Sequence, residues 1–409
     1  MNIGYLAQLS PEVRTPPFDG PANHIRHIVH EWREMGQYVL FIGGMGSRYW
    51  KSEDLKEFSI VQNDKKSAFE RPIRKIQTLT RLPYINYYES CRFAEIVLTN
   101  DVDINCLYER TSWMSYGGLL AARKKRIPLI LEFNGDPLHD LKSKGKLPGG
   151  LQLVISKSLF HYTLRGATHL IASGQGWKKN LIEKWRISPE KVSVVENGSV
   201  LVNLLHRDEL ANFRNKDPRS QVKIVYLGGF YPWHGTQIAI NAFRDLLRDE
   251  INAHLIMIGS GSNLEETQKF AKESGVDDRV TFTGALSPEE YAKILANCEI
   301  GLSPYCGWTE YSGLKLFDYK AAGLAIIASG ENGQPETLVH NETGLIIPPC
   351  DEKALFDAMK FLAKNREYAA KIGQQARIEA EIKHSWKQTA EKILSILSQV
   401  VDNRNWTTR

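Results

Sequence analysis

The chain has 409 residues, 42% hydrophobic and 24% charged, a globular balance with length for two domains of ~200 residues each. No apolar run approaches the ~18 residues of a membrane-spanning helix, and Met1-Asn2-Ile3-Gly4-Tyr5-Leu6 enters a strand with no basic leader, so a cytoplasmic location is expected. The net charge of +5 comes without a nucleic-acid-reading motif, which argues against a nucleic-acid partner.

Strand-like and helix-like segments alternate throughout, predicting parallel sheets covered by helices. The first strand, 2–7, is followed by a Pro-rich loop to Gly20 and a helix over 21–35. Gly20-Pro21 at that helix start would aim backbone N–H groups at a ligand. His24, His27 and His30 share this helix at i, i+3, i+6, but the spacing spreads them over ~120° with no acid or Cys partner in sequence, so polar face residues are expected rather than a metal site. A strand at 38–42 precedes a stretch to about Lys75 with little period, read as a loop insertion. A helix near 84–97 and a strand at 104–109 follow. Asp101-Val102-Asp103 precedes that strand instead of ending one, which fits an entry turn and not a metal site.

The strand 128–133 ends in Glu132-Phe133-Asn134-Gly135-Asp136, at the sheet edge where ligands bind. Helices near 151–165 and 176–185 and strands at 168–172 and 192–195 complete the first half, which closes at the Glu196-Asn197-Gly198 turn. Basic residues cluster in this half: Lys65, Lys66, Arg71, Arg74, Lys75; Arg123 to Arg126; Lys142, Lys144, Lys146. A solvated face is one account of them, attraction to an anionic membrane another.

The pattern restarts with a strand at 222–227, then Gly228-Gly229-Phe230-Tyr231-Pro232-Trp233-His234-Gly235 and a helix over 236–247. Gly259-Ser260-Gly261 follows the strand 254–258, but Leu264 stands where a dinucleotide fingerprint needs a third glycine. A strand at 280–283 reaches the Gly284 turn. After the strand 298–302 comes Glu310-Tyr311-Ser312-Gly313-Leu314-Lys315-Leu316-Phe317-Asp318, with Gly323 closing the helix that Ser312 and Gly313 open. The free N–H groups at this helix mouth can grip an anion, with Lys315 adding charge. Glu310 and Asp318 flank the grip, which suits a phosphate centre with hydroxyl-rich ends, as in a nucleotide sugar. The five cysteines (91, 106, 298, 306, 350) are scattered and are expected as reduced core residues.

Glu310-x7-Asp318 followed by Tyr-Lys-Ala-Ala-Gly resembles the E-x7-E element of retaining GT-B glycosyltransferases of the family-4 type, with Asp in place of the second Glu. Thr343-Gly344-Leu345-Ile346-Ile347-Pro348-Pro349 and Glu196-Asn197-Gly198-Ser199-Val200 resemble two further family motifs. The family's G-R-L-x-x-x-K-G appears as Gly228 to Gly235, with Gly229 for the Arg and His234 for the Lys that grip the donor diphosphate. Asn134 stands where relatives often carry a sugar-contacting His, and Pro21 replaces the second glycine of the first loop.

The resemblance implies a GT-B fold, two Rossmann-like domains facing a central cleft: 1–203 on the acceptor side, a linker at 204–220, a nucleotide-sugar domain at 221–383, and a terminal helix, 384–409, crossing back to the first domain. It implies hexosyl transfer with retention from a nucleoside-diphosphate sugar to an acceptor hydroxyl, in polysaccharide, lipid-linked glycan or glycoside synthesis, with no cofactor and no metal. Glu310, Lys315, His234 and Asn134 are the expected catalytic residues. Gly20, Gly228, Gly229, Gly284, Ser312, Gly313, Leu314 and Asp318 are expected to bind the donor, with His234 donating to a phosphate oxygen. Two other readings stay open, a catalytically weak sugar-nucleotide-binding partner and a Rossmann oxidoreductase.

Overall fold

The computed structural model describes residues 1–8, 12–16, 18, 20–45, 48–62, 70–80, 87–100, 102–143, 145–208, 210, 220–307, 313–331, 333 and 335–403. The chain divides into two compact units, Met1–Glu196 together with the segment from Thr389 onward, and Asn197–Gln388.

The first unit carries eight strands: β1 (Asn2–Ala7), β2 (Tyr38–Met45), β3 (Arg48–Ser52), β4 (Ser59–Gln62), β5 (Cys106–Arg110), β6 (Leu129–Phe133), β7 (His169–Ala172) and β8 (Val192–Val194). Their order in the sheet is β4-β3-β2-β1-β5-β6-β7-β8. From β2 to β8 the neighbours are parallel. β6 is buried along its whole length, because helices cover both faces of a parallel sheet and leave no polar side to alternate with.

β3 and β4 are antiparallel to their neighbours. They and the helix Glu70–Thr80 occupy the stretch expected to be a loop insertion. Strands of four or five residues hold too few apolar positions for a period to show.

The second unit holds β9 (Val222–Leu227), β10 (Ala253–Ile258), β11 (Val280–Gly284), β12 (Ile300–Ser303), β13 (Ala325–Ser329) and β14 (Leu345–Ile347), all parallel, in the order β11-β10-β9-β12-β13-β14. Its boundary falls at Asn197, ahead of the expected 203/204. Residues 201–205, expected as the end of the first domain and the start of the linker, belong to this unit: Leu201, Leu205 and Leu210 are buried in its core. The Arg377 guanidinium donates to the carbonyls of Val202 at 3.1 Å and Leu205 at 2.7 Å. Residues 211–219 of the expected linker lie outside the described residues.

The last helix, Trp386–Asp402, starts with a reciprocal cap, Ser385 N–H to Gln388 Oε1 at 3.0 Å and Gln388 N–H to Ser385 Oγ at 3.2 Å. Beyond Thr389 it belongs to the first unit. There Trp32 Nε1 donates to the Ala390 carbonyl at 3.0 Å, and Ala390, Ile393 and Leu397 are buried.

One cysteine expectation fails. Cys306, after β12, and Cys350, after β14, form a disulfide with Cα atoms 4.7 Å apart. They are 44 residues apart in sequence, so no local spacing announces the pair. Cys106 and Cys298 are buried thiols and Cys91 is half-buried.

Candidate functional site

In the second unit the strand order reverses at β9, which lies between β10 and β12. Ligands of such sheets bind beyond the strand C-termini at this switch point. The loops after β9 and β12 meet there: Cys306 N–H donates to the Trp233 carbonyl at 2.9 Å. Gly235 has φ +63°, and a Cβ on it would stand 1.6 Å from the Pro304 carbonyl oxygen, so only glycine allows this approach.

The helix Leu314–Ala321 follows the second loop, with Gly313 as its N-cap and Gly323 at φ +60° just past its C-cap Ala322. Tyr319 fixes its seat: the hydroxyl donates to the Leu302 carbonyl at 3.0 Å and accepts from the Leu227 N–H at 2.6 Å. Lys315, four residues earlier, lies on the same helix face. Its ammonium stands 4.7 Å from the Tyr226 ring centre and 4.8 Å from that of Tyr305. A Cβ on Gly228 would lie 3.0 Å from Lys315 Nζ, so a bare peptide sits under the cation. Lys315, Gly228, Gly229, His234, Gly313 and Leu314 are thus gathered at one strand-end edge. Glu310 and Ser312 lie outside the described residues.

His234 departs from its expected role as a phosphate donor. The Gly229 carbonyl accepts from both the Tyr226 hydroxyl and His234 Nδ1. A carbonyl only accepts, so Nδ1 carries the proton. Burial, then the Lys315 charge, pushes the imidazole down to about 3, with the Gly229 bond offsetting part of this. The neutral ring therefore presents Nε2 as an acceptor.

Asp318 accepts from Ser199 Oγ at 2.6 Å and from the Tyr291 hydroxyl at 3.1 Å. Burial raises its carboxyl to about 6, against the lowering effect of those two bonds. A carboxylate has about four lone-pair sites, so acceptor capacity remains. Gly284 closes β11 at φ +74°, and its carbonyl accepts from the Gly259 N–H at 2.8 Å.

Gly20 and Asn134 belong to the first unit, where Gly20 is the first residue of the helix Gly20–Glu34. Asn134 follows β6 beside the buried Glu132. That carboxylate has His24 Nε2 at 2.6 Å, the Tyr5 hydroxyl at 3.2 Å and Arg110 Nη1 at 3.3 Å. Burial alone would raise Glu132, but His24, Arg110 and Asn134 outweigh it and hold it at about 2. An ionised carboxylate only accepts, so Asn134 turns its Nδ2 toward Glu132 and presents its carbonyl oxygen the other way. Burial first, then the neighbouring His24, His30 and Arg26, pushes His27 down to about 4. Among the described residues no group of three or more His, Cys, Asp or Glu side chains is placed to hold a metal ion. Asp101 lies outside those residues.

Residues 18–200 match the family described as Glycosyltransferase Family 4, and 208–379 match Glycosyl transferases group 1. The chain belongs to these group 1 glycosyl transferases. Its two units with their parallel sheets form the GT-B fold. A GDP-mannose-dependent alpha-(1-6)-phosphatidylinositol monomannoside mannosyltransferase of Mycobacterium tuberculosis is 30% identical over 179 residues, 42% of this chain and 46% of that protein. The chain thus spans about half the length of such curated relatives. An uncharacterized glycosyltransferase of Methanocaldococcus jannaschii is 22% identical over 95% of this chain and 96% of its own length. Among solved structures, Anabaena HepE in complex with UDP superposes with a TM-score of 0.70 at 16% identity, covering 98% of this chain and all of that one.

Several residues of this candidate site escaped sequence reading: Tyr226, Tyr305, Ser199, Tyr291 and Arg110. Each acts through a partner distant in sequence or folded back by a turn. The one local signal is the pair Gly228-Gly229 directly after a strand, which marks a backbone approach and so directs attention to Tyr226 before it.

Proposed function

We propose that this glycosyltransferase moves a hexosyl unit from a nucleoside-diphosphate sugar to an acceptor hydroxyl with retention of configuration. The observation that carries this reading is Lys315, held over Gly228 at the mouth of the Leu314–Ala321 helix. A fixed cation and a helix N-terminus together stabilise the charge that develops on a leaving diphosphate. In this reading they supply the positive charge, so no metal ion is required. Asp318, clasped by Ser199 and Tyr291, receives the ribose hydroxyls on its remaining lone pairs. Asn134 accepts a hydrogen bond from a sugar hydroxyl. The acceptor hydroxyl attacks the anomeric carbon on the face the diphosphate leaves, a leaving phosphate oxygen takes the hydroxyl proton, and no protein nucleophile is needed. Glu310 is assigned to the transferred sugar's hydroxyls by the spacing of the motif.

The HepE structure holds UDP, and the mycobacterial relative is named for a phosphatidylinositol mannoside acceptor. By that likeness we assign a lipid-linked acceptor. Among the described residues no helix is long and apolar enough to cross a membrane. The helix Glu70–Thr80 exposes Ile73, Ile76 and Leu79 beside Arg71 and Lys75, an amphipathic face suited to an anionic bilayer surface. A thermal-shift screen against UDP-, GDP-, ADP- and dTDP-sugars, followed by measurement of nucleoside diphosphate released with acceptors, tests the reading. Stabilisation by one donor and acceptor-dependent release are expected; neither occurring with any donor would reject it.

A further inference from the structure

The loop after β9 holds two aromatic side chains that the grip on the diphosphate leaves unused. Tyr231 and Trp233 stack with ring centres 5.3 Å apart and planes 9° from parallel. Tyr231 is 40% exposed, although burying a ring of this size is ordinarily favourable.

The stack is held rigidly. Pro232 between the two residues fixes the backbone at the start of the short turn Pro232–His234. The Tyr231 carbonyl accepts from the His234 N–H at 2.9 Å, and the Trp233 carbonyl accepts from Cys306 N–H at 2.9 Å. The Tyr231 ring also lies against the backbone of Gly229: a Cβ there would stand 2.6 Å from ring atom Cε2. Gly228, the preceding residue, lies under the Lys315 ammonium. The cation and the exposed ring therefore rest on consecutive peptides of one loop.

A flat, pre-ordered aromatic face beside an anion grip matches one ligand shape well. A pyranose ring carries C–H groups on its faces and hydroxyls around its rim. Laying such a face on an aromatic ring buries the C–H groups and leaves the hydroxyls able to hydrogen-bond. A tyrosine with two side-chain torsions, already stacked, loses little entropy in doing so. We propose that the Tyr231–Trp233 stack is a platform for the pyranose ring carried by the nucleotide donor. This rests on the donor reading given above. A nucleobase also stacks on aromatic faces, but it is common to the free nucleotide and the sugar nucleotide, and that difference separates the two occupants.

The test compares UDP with UDP-glucose, and GDP with GDP-mannose, by titration calorimetry on wild type, Tyr231→Phe and Tyr231→Ala, each checked by thermal melting. For whichever pair binds, Tyr231→Ala is expected to weaken the sugar nucleotide roughly tenfold while leaving the free diphosphate within about twofold. Tyr231→Phe keeps the ring and is expected to match wild type for both. Equal weakening of diphosphate and sugar nucleotide would assign the stack to the base, and no weakening of either would remove its role; both overturn the platform alone. Where neither pair binds the wild-type chain, the ADP and dTDP pairs take their place, and absence of binding to all four would overturn the platform together with the donor reading.

Discussion

The Tyr319 hydroxyl bridges two strands, donating to the Leu302 carbonyl at 3.0 Å and accepting from the Leu227 N–H at 2.6 Å. The helix that carries Lys315 is thereby bolted to β9 and β12 by one oxygen atom. Tyr319→Phe keeps the ring volume but leaves a buried N–H and C=O without this partner, a cost of about 1–3 kcal/mol. Denaturant unfolding should show that loss, and the donor KM should rise as Lys315 loses its seat. A variant as stable as wild type would mean that water or the backbone replaces the hydroxyl.

Lys315→Ala and Lys315→Met should both lower donor turnover by roughly two orders of magnitude. Methionine keeps most of the buried stem, so its melting temperature should stay near that of wild type. Unchanged turnover in both variants would separate the ammonium from the chemistry.

The His234 imidazole should stay neutral across the physiological range, with its proton on Nδ1. Ring-nitrogen NMR of the ligand-free protein should show that tautomer and no titration between about pH 5 and 8. Because its folded pKa of about 3 lies below the ordinary 6.5, the unfolded chain binds more protons between those values. Its contribution to stability is complete above pH 6.5 and is lost as the pH falls toward 3. A ring titrating near 6.5 would contradict the packing found here.

Glu109 gives the opposite slope. Burial raises its carboxyl to about 8, with the Gly118 N–H offsetting part of the shift. The folded chain then holds a proton that the unfolded chain releases near its ordinary 4.5. Stability from this group is complete below 4.5 and declines as the pH rises to 8, by about 1.4 kcal/mol per unit for an isolated carboxyl. Glu109→Gln should flatten that decline in pH-dependent unfolding; an unchanged slope would place the decline in other groups.

The Cys306–Cys350 bond predicts three reactive thiols among the five cysteines when the unreduced chain is unfolded. Reduction should cost about 3–4 kcal/mol by the loop-entropy argument for a separation of 44 residues. Five reactive thiols in freshly purified, unreduced protein would show the pair to be open.

Much of this fold is legible in local sequence. The strand at 222–227 and the helix bounded by Gly313 and Gly323 declare themselves through apolar runs and glycine punctuation. What stays hidden depends on long-range pairing. Nothing near Glu132 announces His24, and nothing near Asp318 announces Ser199, 119 positions away. His234 shows the same limit at short range: its place in the family motif suggested a phosphate donor, and only the Gly229 carbonyl reveals which ring nitrogen is committed. The Glu196-Asn197-Gly198 turn marks where the units divide, but the expected domain bound falls later, at 203, because nothing local shows that Leu201 and Leu205 enter the second unit's core.

The return of the 389–402 segment to the first unit orders events on the ribosome. Residues 1–196 emerge early but lack the helix whose Ala390 carbonyl receives the Trp32 indole. The surface that buries Ala390, Ile393 and Leu397 stays uncovered through synthesis of the whole second unit, a span in which chaperones have a defined region to protect.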